Sequence, residues 1–147
     1  MLCGTTCYAQ FCTGSLGDPI INQDFGSGRA FVMPAGKSPY TKVNGCPSKG
    51  EYTISNFLFG CGSNNDKSWL AMIGDHTRNY NGNYMLVNAE NTTGAIYVDT
   101  AKNLCEGNNY VYSAWISNAM QDFTCNKNPV LANLILSVEK PDGSVLA

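Results

Sequence analysis

Charged side chains are scarce in this sequence: Asp, Glu, Lys and Arg together make up 14% of it, with 11 acidic against 9 basic residues and a formal net charge of -2. No run of Lys or Arg occurs. Without a basic patch, the release of counterions from phosphates has nothing to drive it, which argues against nucleic acid as a partner. Histidine is scarcer still, with His76 alone. A nucleophile activated by imidazole would have to be built on that residue, and no nucleophile-elbow pattern accompanies it. Zinc hydrolysis needs several nitrogen or sulfur ligands, and cysteines of an oxidised protein are poor candidates for them. The chain is therefore read as no enzyme, with His76 hydrogen-bonding its own loop.

Long apolar runs are also missing. No stretch reaches the roughly 18 apolar residues of a membrane-spanning helix, so membrane insertion is not expected. No window sustains the apolar spacing of an amphipathic helix for three turns, and only residues 100–105 suit one short turn. What remains is an all-β reading.

Seven cysteines are present in 147 residues, none in a Cys-x-x-Cys pair, which points to an oxidising compartment and disulfides. Residues 1–10 read as the remnant of a secretory signal peptide, with Tyr8-Ala9-Gln10 before Phe11 as the cleavage site. Cleavage removes Cys3 and Cys7 and leaves Cys12, Cys46, Cys61, Cys105 and Cys125, an odd set. The run Pro141-Asp142-Gly143-Ser144 starts a hairpin just before the sequence stops. The expected organisation is a single β-sandwich domain over residues 11–147, incomplete at its C-terminus.

Within it, β-rich runs alternate with Gly, Asn and Pro clusters at roughly 8–12-residue spacing, the pattern of an antiparallel sandwich or jelly roll. Strands are predicted at residues 20–25, 51–56, 84–89 and 95–99, with a brief pairing at 40–43 and a short apolar run at 69–73. The clearest period-2 patterns are residues 110–118 and 133–139.

The candidate site is the polar loop in residues 73–89, Ile-Gly-Asp-His-Thr-Arg-Asn-Tyr-Asn-Gly-Asn running into Tyr84-Met85-Leu86-Val87-Asn88-Ala89. Calcium takes several oxygen ligands, and Asp24, Asp75 and Thr77 are the candidates; the alternative is that Asp75 and Thr77 close an Asx-type turn and Asp24 ends a strand in solvent. Sugar sites combine an exposed aromatic face with amides and carboxylates, and here Tyr80, Asn79 and Trp69 are nominated. Tyr80 is the best placed, because it lies inside a polar loop. Trp69, Tyr84, Tyr112 and Trp115 lie on strand patterns and are weighted toward the core.

Two sets of residues carry a family resemblance covering most of the chain after residue 11. Cys12-Thr13-Gly14-Ser15-Leu16-Gly17-Asp18-Pro19, with Gly45-Cys46-Pro47, Trp69, Asp75-His76-Thr77, Tyr84-Met85-Leu86-Val87-Asn88-Ala89, Tyr97-Val98-Asp99 and Ala114-Trp115, resembles the N-terminal module of large gliding-motility and type IX secretion surface proteins of Bacteroidota. Asp75-His76-Thr77 followed by Gly82-Asn83-Tyr84-Met85 is similar to the Asp-His-Thr signature of MAM domains, calcium-associated jelly rolls of extracellular adhesion proteins. The resemblance implies a galactose-binding-like jelly roll, exported and non-catalytic, followed by further modules of the same polypeptide. It also implies a metal tying an N-terminal strand to the Asp-His-Thr loop. Relatives carry a later segment with a cysteine and paired aspartates, which this sequence lacks.

The functional expectation is a secreted, cell-surface adhesion module that recognises a glycan or another surface ligand and is stabilised by calcium. The alternative is a structural cap or spacer domain.

Overall fold

A computed structural model describes residues 18–28, 33, 35–61, 69–77, 81–92, 94–120 and 132–146. These residues are all-β, with no helix and two small sheets. The expected turn of helix at 100–105 does not form.

The longest strands are β2 (Glu51–Ser55) and β5 (Tyr84–Asn88), paired antiparallel over their whole length from Glu51↔Asn88 to Ser55↔Tyr84. Period-2 geometry puts Thr53, Ser55, Tyr84 and Leu86 on one face of this pair. Thr53, Tyr84 and Leu86 are buried, and Tyr84 and Leu86 join Leu58 and Cys61 in an apolar cluster against which Trp69, Met72 and Ala119 pack. A two-residue strand, β1 (Thr41–Lys42), adds parallel to β2 across the short connection 43–50.

At the far end of β2 the chain changes sheets. The Ser55 hydroxyl accepts from the Phe57 amide and donates to the Phe57 carbonyl, and this local loop competes with the ladder and ends it. Residues 57–58 then form β3 (Phe57–Leu58), antiparallel to β4 (Met72–Ile73). The predicted strand 51–56 is thus β2 plus a corner. A disulfide between Cys46 and Cys61 closes a loop around β2 and β3, and Cys105 is also disulfide-bonded.

Several predicted strands are not in a sheet. Residues 20–25 are irregular, with Ile20 and Ile21 in solvent, and pairing begins just beyond them at Ser27, which bridges Gly82. Residues 95–99 are held by one backbone hydrogen bond, from the Val98 amide to the Lys37 carbonyl at 2.7 Å, and by side chains: Lys37 pairs with Asp99, and Tyr97 meets Phe25 edge-on at 6.1 Å. The two clearest patterns, 110–118 and 133–139, make no ladder; only Met120, with Trp69, and Glu139, with Val145, form single bridges at their ends. Alternation states which side chains would share a face, whereas a strand also needs a neighbour for its amides. The hairpin expected at residues 141–144 does form, with Asp142 accepting from the Ser144 amide and hydroxyl.

Candidate functional site

The loop before β5 is built from two turns on segments distant in sequence. Asp75 Oδ1 accepts from the Thr77 amide at 2.9 Å and from the Thr77 hydroxyl, an Asx-type turn that starts where β4 ends. Burial pushes the Asp75 carboxyl up, but the two Thr77 hydrogen bonds and the His76 charge outweigh it and hold the group below the ordinary carboxylate range. Asp24 makes the second turn, its Oδ1 accepting from the Gly26 amide at 2.8 Å.

Backbone hydrogen bonds join the Asp24 segment to residues 81–83, which lead into β5. The Gly28 amide donates to the Asn81 carbonyl at 2.8 Å and the Asn83 amide to the Gly26 carbonyl at 2.9 Å, with Ser27 and Gly82 bridged between them. Gly82 is required there, since a Cβ at that position would collide with the Asp75 carboxylate. Asn83 beside it is 2% exposed; its amide Nδ2 donates to the Phe25 carbonyl at 3.0 Å, while Oδ1 is buried with no hydrogen-bond partner. A buried amide oxygen left without a donor costs on the order of 1–3 kcal/mol unless something electropositive meets it.

Of the nominated metal ligands, Asp75 and Thr77 are therefore in direct contact, and Asp24 lies on the segment bridged to the same loop. Among the described residues no three His, Cys, Asp or Glu side chains gather into a cluster. Tyr80 and Asn79 lie outside the described residues. Trp69 is half-buried against the apolar cluster of Leu58, Cys61, Tyr84 and Leu86.

The aromatic residue found beside the loop is Trp115, which strand patterning had weighted toward the core. It is 80% exposed, and its ring stacks on His76 with centroids 4.7 Å apart and planes 19° from parallel. His76 thus contributes a ring face, a contact that the reading of it as a hydrogen-bonding loop residue did not include. Tyr112 is exposed as well, and of the four aromatic residues assigned to the core only Tyr84 is buried.

Sequence reasoning missed Trp115 and Asn83 as site residues for different reasons. Trp115 sits in an alternating run that a paired strand would have buried. Asn83 follows two turn-forming residues, Asn81 and Gly82, and nothing in its identity separates a buried amide from another turn residue. No protein-family model matches the sequence, and neither curated proteins nor solved structures yield a significant match.

Proposed function

We propose that this chain is a secreted, non-catalytic binding module of a cell-surface protein, recognising glycans at the face formed by the 75–77 loop and Trp115. The observation that carries this reading is the Trp115 indole, 80% exposed and backed by the His76 ring. An indole that large in water gives up burial worth about 1.5–3 kcal/mol for a side chain of its class. Stacked on a second ring, it offers a flat, pre-positioned surface for the C–H face of a sugar, with amides and a carboxylate alongside for the hydroxyls. Tyr80 and Asn79 belong to the same loop and are assigned to that contact.

Calcium is the proposed cofactor. The donor chemistry fits a hard cation: the Asp24 carboxylate and Asn83 Oδ1 lie on segments joined by the hydrogen bonds of residues 26–28 and 81–83, and the Asp75 carboxylate, bonded to the Thr77 hydroxyl, lies against Gly82 of the second segment. The ion would supply charge to fasten them. The two-sheet, helix-free architecture and the Asp-His-Thr signature support a galactose-binding-like jelly roll of the gliding-motility and type IX secretion type, continuing into further modules.

A glycan array at fixed calcium tests the reading, comparing the wild-type chain with Trp115→Ala and Tyr80→Ala. Signal on at least one glycan class is expected to fall about tenfold in Trp115→Ala, the loss of about 1.4 kcal/mol of stacking. If no spot responds to either substitution, the spacer reading replaces this one.

A further inference from the structure

The geometry points to a second sugar-binding site at the opposite end of the β2–β5 ladder, in the groove that residues 39–41 form with Gly50, Glu90, Thr92, Gly94 and Ala95, with Glu90 and Tyr40 as its principal contacts. The register fixes the placement. The 75–83 loop enters β5 at Tyr84, opposite Ser55, whereas Gly50 and Glu90 flank the other terminal pair, Glu51 and Asn88. The two sites are thus about 14 Å or more apart, the length of a five-residue strand, and the second does not depend on the reading of the first.

The groove is shallow and open to solvent, lined by Pro39, Tyr40, Thr41, Gly50, Glu90 and Thr92 with Gly94 and Ala95. Glu90 is held in it by its neighbours. Its amide donates to the Tyr40 hydroxyl at 3.2 Å, and its Oε2 accepts from the Thr92 hydroxyl at 3.3 Å. Its Oε1 lies over Gly50, close enough that a Cβ on that residue would meet it at 2.6 Å. Gly50 therefore serves two needs, a backbone with φ of 79° and room for the carboxylate. No basic side chain pairs with Glu90 among the described residues.

The chemistry selects among ligand classes. An anion is repelled by the carboxylate. For a cation, one exposed carboxylate is a weak partner in water, and salt screens it further. A neutral polyol gains on several fronts at once: adjacent hydroxyls donate to the two carboxylate oxygens, the Thr41 and Thr92 hydroxyls donate or accept, and the Tyr40 ring lines the wall. Gly50, Gly94 and Ala95 keep the remaining lining small enough for a ring to enter.

Amide NMR titrations with methyl β-D-glucopyranoside, methyl β-D-galactopyranoside and methyl α-D-mannopyranoside test this, with methylguanidinium chloride as the cationic arm. At least one glycoside is expected to shift the Thr41, Gly50, Glu90 and Thr92 amides saturably. That binding should weaken about tenfold in Glu90→Gln and in Tyr40→Ala, as for one lost contact, and stay unchanged in Trp115→Ala. Glu90 is exposed, so Glu90→Gln decides the matter even if Tyr40→Ala fails to fold. Saturable shifts from methylguanidinium alone, shifts insensitive to Glu90→Gln, or none from any glycoside would each overturn the proposal. Loss of binding in Trp115→Ala with Glu90→Gln unaffected would overturn it while leaving the loop reading intact.

Discussion

Tyr84 shows how one side chain holds the two sheets together. It belongs to β5, yet its hydroxyl donates to the Met72 carbonyl of β4 at 3.1 Å, and burial pushes the phenol up to about 12. The unfolded chain ionises this group near its ordinary value of about 10. The neutral form is therefore favoured by folding, and its contribution is complete below pH 10 and is lost as the pH rises through about 12. Tyr84→Phe is expected to cost about 1 kcal/mol at neutral pH, leaving the Met72 carbonyl unpaired, and to flatten the decline in stability above pH 10. Urea midpoints of both proteins across that range check it. At this scale the sequence was ambiguous in a specific way. Tyr84 and Trp115 both sit in alternating runs, and only the presence of a paired strand separates the buried ring from the exposed one. Asp75 and Thr77 were legible as a turn or a metal pair, and the turn is the part that hydrogen-bond geometry displays.

Among the elements, β2 and β5 were legible because each has β-branched, aromatic or apolar residues at its centre, bounded by turn residues, and each has the other as partner. β3 was not, because Ser55 ends the ladder through its own hydroxyl, a local competition that composition does not reveal. Residues 110–118 and 133–139 had the pattern without a strand partner among the described residues. The Cys46–Cys61 pairing could not be chosen among five cysteines from spacing alone. It is set by the fold, which brings the two Cα atoms to 5.3 Å by folding β2 and β3 back between them. Closing a loop of that length removes denatured-state freedom worth roughly 3 kcal/mol. The double substitution Cys46→Ala with Cys61→Ala is expected to lower unfolding free energy by about that amount in denaturant titrations, and a change well under 1 kcal/mol would show that the bond merely decorates a preformed corner.

For the molecule as a whole, the buried apolar side chains among the described residues are few: Met33, Tyr52, Leu58, Cys61, Tyr84 and Leu86. Where few apolar side chains are buried, a cross-link such as Cys46–Cys61 carries a larger share of the stability. Calcium at about 100 times its dissociation constant would stabilise the fold by about 2.7 kcal/mol, a rise of roughly 5–10 °C in melting temperature for a chain of this size. That rise is expected in calcium relative to chelator and should vanish in Asp75→Ala; identical melting curves would remove calcium from the account. The all-β class was legible because helical periodicity is missing throughout, whereas the sheet order rests on corners and cross-links that no periodicity encodes. The disulfide also has a mechanical consequence. If the chain is pulled from residues outside 46–61, the load passes through the sulfur bridge, and β2 and β3 inside the loop cannot be drawn out lengthwise. The two cysteines are fifteen positions apart in sequence, so about 50 Å of contour length is withheld from extension until the bond is reduced.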